Sequence, residues 1–233
     1  ARTGFHEFSH VIHLGLSNNR CPRWITEGLA TWEEVERNPT WTRNMRRDLV
    51  DAFAGDDIIP LRELNRAFRG PRILFGYYQG GLLCEMLIDE HGFPPMIKLL
   101  RAFDLGADLD QAFRSVFDTT PEQVDADFHE FVRKKVESLY IEPRWSLSRV
   151  RRLQLRTSAE PPEGASARES WGEDWATIAF GSWQQGRRID AESALQTLKN
   201  AGVDAVRATV LKAEMAASRS DLVQAKRLWE EAV

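Results

Sequence analysis

Apolar residues recur at helical spacing along nearly the whole chain, and no stretch alternates apolar and polar residues in the manner of a half-buried strand. The pattern predicts helices over 3–16, 22–36, 41–54, 73–90, 94–104, 108–117 and 121–139, and hence a mainly α fold. The last of these carries a clear start signal. Thr120 can cap it, Pro121 suits the first turn, and Gln123 completes a capping box. After the first helix "SNNRCPR" is rich in turn formers and reverses direction, and Pro22 then opens the second helix. The segment "AGDDIIPLREL" breaks the third helix and returns an apolar hook, Ile58-Ile59-Pro60-Leu61, to the core, and "RGPR" at 69–72 is a second break.

The pattern lapses over 141–170. There "TSAEPPEGASARES" is rich in Pro, Gly, Ser and Ala and has no apolar period, so this stretch is expected to be a linker, with the basic run "RWSLSRVRRLQLR" as its solvated face. It divides a domain over 1–140 from a segment over 171–233. Within the latter, "WGEDWATIAFGSWQQGRRIDAESALQTL" and "VRATVLKAEMAASRSDLVQAKRLWEEAV" superpose at an offset of 34, aligning Ala179 with Ala213, Ala191 with Ala225 and Leu195 with Trp229. Small residues at such points let paired helices pack closely.

Length and composition narrow the classes of function. The protein has 233 residues, 42% of them hydrophobic, which suffices for one large or two small cores. Its net charge of −4 gives no electrostatic footprint for nucleic acid. It has no run of eighteen apolar residues, so no membrane span is expected, and no signal-peptide pattern stands at its start. Two cysteines, Cys21 and Cys84, are too few for a disulfide framework and read as free buried thiols. The sequence opens almost inside its first helix and stops inside another, so it reads as a fragment, with any targeting segment upstream.

Chemistry concentrates in "GFHEFSHVIHLGL" and "PRWITEGLATWEE". On an α-helix each residue turns by about 100°, which puts His6 and His10 roughly 40° apart in azimuth and about one turn apart in height, so both imidazoles can reach one ion. Glu7 is rotated to the side, where a carboxylate can take a proton from a metal-bound water. A catalytic zinc typically keeps three protein ligands, and a turn of this length can bring Glu27 back beside the two histidines as the third. Against this stands the plain alternative, that four-residue HExxH matches arise by chance in helices.

With both motifs in place, HEFSH followed after sixteen residues by the glutamate of "TEGLA" resembles the gluzincin branch of zinc metallopeptidases. It is most similar to the bacterial peptidase-MA-like domains that accompany tetratricopeptide repeats. The likeness covers roughly residues 1–140 and is strongest in the first 35, with a weaker match at "GYYQGG" and a gap before the glutamate that is shorter than in thermolysin or the aminopeptidase-N group. It implies the helical part of a zincin-type domain, Zn2+ held by His6, His10 and Glu27, and Glu7 as general base in peptide hydrolysis. In that group substrate lies against a sheet edge upstream of the HExxH helix. Only five residues precede His6, so that sheet is expected to be missing here, and endopeptidase and aminopeptidase are not separated. The resemblance further implies a peptide or protein substrate and favours an extracytoplasmic location. The period of 34 resembles the tetratricopeptide repeat, with Trp175 and Ala191 at its tryptophan and alanine positions and Leu198 and Val203 departing from it, in an array expected to continue past Val233 and to bind a protein partner. The alternative from a different class is a non-catalytic zincin-like interaction scaffold.

An oxyanion donor is expected in "FGYYQGGLLCEM". Tyr77 and Tyr78 point about 100° apart on one helix, so only one readily faces the site. Tyr77 shares a face of small residues with Gly80, Gly81 and Cys84, and the family pattern Tyr-x-Lys/Gln-Gly/Ser also selects it, whereas Tyr78 shares its face with Leu82, Glu85 and Asp89. The alternative is that both only pack. His13 reads as packing or support rather than a ligand. His91 is a helix C-terminus, and His129 is read as exposed. Glu33 and Glu34 are either a solvated charge pair or support for the metal histidines.

Overall fold

The computed structural model describes residues 1–139, 141 and 143–232, and it is mainly α with no strand among them. The chain divides into two compact units, 1–142 and 143–233. The first contains α1 (Arg2–Ser17), α2 (Arg23–Arg37), a 3-10 turn at Pro39–Trp41, α3 (Arg46–Ala54), α4 (Leu64–Ala67), α5 (Ile73–His91), α6 (Pro94–Asp104), α7 (Leu109–Phe117) and α8 (Pro121–Glu137). The second contains α9 (Leu147–Arg156), α10 (Ala165–Gln184), α11 (Arg188–Ala201), α12 (Val206–Ser218) and α13 (Leu222–Glu231).

Local chemistry explains the junctions that matter for the site. Helix α1 stops because Asn18 and Asn19 both take left-handed backbone angles, at φ of 49° and 59°, a conformation that asparagine tolerates better than most residues. The backbone then turns through Pro22 into α2, so α1 and α2 are neighbours in space as well as in sequence. Helix α8 starts where its sequence suggests, with the Thr120 hydroxyl accepting from the amide of Gln123 at 3.2 Å, but the expected capping box is not closed, because the Gln123 side chain donates to Asp127 Oδ1 at 2.9 Å instead. Helix α7 is held by a full capping box, Asp108 accepting from the Gln111 amide at 2.8 Å while the Gln111 side chain accepts from the Asp108 amide at 3.1 Å.

The core of the first unit is built around α2 and α5, whose facing surfaces are glycine-lined. A Cβ on Gly28 would lie 2.5 Å from the Gly80 carbonyl oxygen and 2.9 Å from Cys84 Sγ, and one on Gly81 would meet Thr31 at 3.0 Å. Only bare backbone permits this approach. Trp24, Ile25, Leu29, Leu83 and Leu87 then close the interface with no more than 1% exposure. The Ile58–Leu61 hook is fastened by backbone bonds to two buried or half-buried side chains. Gln79 both accepts from the Ile59 amide at 3.1 Å and donates to its carbonyl at 2.6 Å, and Asp125 accepts from the Leu61 amide at 2.8 Å.

Two expected spans differ. The helix expected over 41–54 begins only at Arg46, because Asn38 accepts from the Thr40 amide and closes a separate 3-10 turn, after which Thr42 is extended. The stretch expected to be linker carries α9, whose Val150 and Leu153 are buried; Val150 and Trp145 lie against Gly181 of α10. Its basic residues occupy the exposed face of an amphipathic helix, and a loop at 157–164 follows. In the second unit α10 ends at 184 and α12 at 218, while α11 begins at 188 and α13 at 222, so two helix pairs recur with a spacing of 34 residues. Ala179, Ala191, Ala213 and Ala225 are all fully buried in them, where any larger side chain would push the pairs apart.

Candidate metal centre

Helices α1 and α2 bring His6, His10 and Glu27 to one point. Among the described residues these three form a group able to hold a metal ion. The Nε2 atoms of His6 and His10 are 3.1 Å apart, and Glu27 Oε2 lies 3.3 Å from the first and 3.1 Å from the second. Three ligands on a tetrahedral zinc at about 2.0–2.1 Å sit about 3.3 Å from one another, so the triangle already has the edge length that zinc requires. In the absence of an ion, two imidazole Nε2 atoms facing each other need at least one proton between them. The residues present fit a zinc ion.

Each donor is held from behind. His10 Nδ1 is 2.7 Å from the Thr26 hydroxyl, which fixes the ring so that Nε2 faces the centre. His6 Nδ1 has Glu34 Oε1 at 3.1 Å, a charge contact not aligned as a hydrogen bond, and Glu34 Oε2 accepts from Arg2 Nε and Nη2 at 3.1 and 2.9 Å. Glu27 Oε1 accepts from Arg23 Nε at 3.0 Å and from the Tyr77 hydroxyl at 3.3 Å. One carboxylate oxygen is thus occupied by support and the other is left for the centre.

Electrostatics follow from this packing. The hydrogen bond with Glu27 raises the His6 pKa above its ordinary 6.5, against a lowering by burial, and the charge of Glu34 adds to the rise. Burial alone would push the Glu27 carboxyl up, but hydrogen bonds from His10, His6 and Arg23 outweigh it and hold the group well below the usual carboxylate range. Glu27 is therefore an anion at any physiological pH, as a ligand must be.

The remaining candidates fall on different sides. Glu7 is exposed on α1, with no hydrogen-bond or ion-pair partner among the described residues. Tyr77 reaches the centre through Glu27, whereas Tyr78 lines a separate cavity with Leu82, Glu85 and Asp89. His13 is buried but turned away, its Nε2 3.1 Å from Glu33 Oε1. Glu33 and Glu34 are therefore not a solvated pair: the first serves His13 and the second His6. His91 ends α5 and His129 is exposed. Thr26, Arg2 and Arg23 carried no motif signal, although Thr26 and Arg23 lie within one turn of Glu27.

Comparison of the sequence and fold with protein-family models, with curated proteins and with solved structures gave no match in any of the three.

Proposed function

We propose that the first unit is a zinc-dependent peptidase domain in which His6, His10 and Glu27 hold the metal. The observation that carries this is the triangle of donor atoms with edges of 3.1–3.3 Å, each donor supported from behind. A bound zinc ion supplies a Lewis acid and a water of lowered pKa. The protein supplies the rest. Glu7, exposed one residue after His6, has a carboxylate free to accept the proton of the attacking water and to return it to the leaving amine. Thr26 and Glu34 keep the two imidazoles in place. The Tyr77 hydroxyl is a donor poised beside the ligand set; to serve a developing oxyanion it exchanges its Glu27 acceptor for the substrate oxygen, while Arg23 retains Glu27 Oε1.

The second unit supports a further part of the reading. Helix pairs repeating at 34 residues with buried alanines at equivalent positions fit a tetratricopeptide-like array, which would present a protein partner or substrate to the domain. If that binding is the whole activity, the protein is a scaffold and not a peptidase. Metal analysis and turnover separate the two. The purified protein is expected to carry one zinc, and His6→Ala, His10→Ala and Glu27→Ala each to lose it; equal zinc content in all three removes the assignment. Glu7→Gln is expected to keep zinc while losing most hydrolysis in a peptide library. Zinc binding with no hydrolysis by the unaltered protein, together with capture of a partner by residues 143–232, decides for the scaffold.

A further inference from the structure

Three arginines approach the metal centre, and they differ in how they are satisfied. Arg2 is spent on Glu34 and Arg23 on Glu27. Arg43 has no hydrogen-bond or ion-pair partner among the described residues, and its Nε is buried without one. Its guanidinium carbon lies 4.7 Å from the centre of the Tyr77 ring, a cation–π contact on the same tyrosine whose hydroxyl touches Glu27. A guanidinium without an acceptor costs free energy, and where such a group lines a cavity, as Arg43 does, an anion entering the cavity can supply the acceptor.

The surroundings say what that is. Arg43 stands in the break between the 3-10 turn and α3, and it forms one wall of a cavity with Trp32, Arg46, Tyr78 and Glu85. Glu85 is already neutralised by Lys135 at 2.6 Å, whereas Arg46, like Arg43, has no ion pair among the described residues. Glu36 and Asp89 also line the cavity, so it is mixed in charge; the unpaired fork nearest the metal ligands is cationic. The cavity does not include His6, His10 or Glu27, and Arg43 joins it to them through Tyr77. The path from Glu27 through that ring to the guanidinium carbon is at most about 11 Å, roughly three residues of extended peptide.

The geometry points to Arg43 as a specificity-determining residue that receives a substrate carboxylate within about three residues of the bond placed at the metal centre. A guanidinium fork, planar by its own delocalisation, matches a carboxylate in two parallel hydrogen bonds, and its contact with the Tyr77 ring restrains it. Acidic side chains and a free peptide C-terminus offer the same chemistry. This inference rests on the peptidase reading for its location, while its recognition step is readable by binding alone.

The test uses the full-length protein loaded with zinc and three N-acetylated alanine-based hexapeptides: a neutral C-terminal amide, the same amide with one internal glutamate, and the neutral sequence with a free C-terminal carboxylate. Calorimetric titration is expected to show one or both anionic peptides bound at least about tenfold more tightly than the neutral amide, the scale of a charge-assisted pair. In Arg43→Ala that ratio is expected to fall to about one. Arg43→Lys, which keeps the charge but not the fork, should recover only part of it, and unchanged far-ultraviolet circular dichroism establishes that both variants are folded. Which anionic peptide gains identifies the source of the carboxylate. No preference in the unaltered protein, or a preference that survives in Arg43→Ala, overturns the inference. Hydrolysis of neutral peptides as fast as acidic ones overturns it while leaving the peptidase reading standing; Arg43-dependent binding without hydrolysis of any peptide overturns the peptidase reading instead.

Discussion

Tyr77 and Tyr78 are adjacent in sequence yet face different chemistry, because one residue of helix turns the side chain by about 100°. Tyr77→Phe is expected to leave zinc content and folding intact and to lower turnover by about 10²-fold or more, the scale of losing one oxyanion donor, while Tyr78→Phe does little. Steady-state kinetics on the zinc-loaded protein decide it: reversed effects, or two negligible ones, overturn the assignment. His6 leads to a pH prediction. Its folded pKa is raised above 6.5, so in the metal-free protein the pairing with Glu27 stabilises the fold below that value and is lost as pH rises through the raised one. Zinc needs the neutral ring and competes with the same proton. Its affinity is expected to tighten as pH rises through that window, by on the order of tenfold per unit for each proton displaced, in chelator competition at several pH values. A flat profile would place His6 outside the ligand set.

Glycines give the elements opposite signs. Helices α2 and α5 touch through Gly28 and Gly80, where a Cβ would lie 2.5 Å from a carbonyl oxygen that cannot yield cheaply. Gly28→Ala is therefore expected to cost about 1–3 kcal/mol, seen as a fall of several degrees in melting temperature, and to reduce zinc occupancy because Glu27 sits one residue away. Gly15 on α1 has open space around the point where an alanine methyl would stand, with no atom within 4 Å, so Gly15→Ala is expected to stabilise by about 0.5–1 kcal/mol through helix propensity alone. A Gly28→Ala melting temperature equal to or above that of the unaltered protein would contradict so close an α2–α5 contact.

For the whole molecule, the division at 142/143 predicts that metal acts on one unit. A ligand present at a hundredfold its Kd stabilises the state that binds it by about 2.7 kcal/mol. Removing zinc with a chelator is expected to speed amide hydrogen exchange in α1 and α2 and to leave α10–α13 unchanged, since α1 and α2 pack in the first unit and the cluster around Trp171, Ala176 and Leu198 is built from the second unit's own residues. Equal acceleration everywhere would mean that the site is not confined to the first unit. No helix among the described residues is long and apolar enough to cross a membrane.

Helical periodicity by itself determined the fold class and most helix spans, because a buried stripe on a 3.6-residue repeat is a local property. The spacing of His6 and His10 was legible for the same reason, and "TEGLA" stood at a distance one turn can close. Local reading failed where a competing local bond intervened, as Asn38 does ahead of α3, and where low hydropathy hid the two-residue apolar stripe of α9. Tertiary structure alone decided which groups stand behind the ligands. Glu34 of α2 reaches His6 and Arg2 of α1, and Arg43, ahead of α3, reaches Tyr77 of α5, contacts between elements that no sequence spacing encodes; Gly28 and Gly80 set how closely α2 and α5 approach.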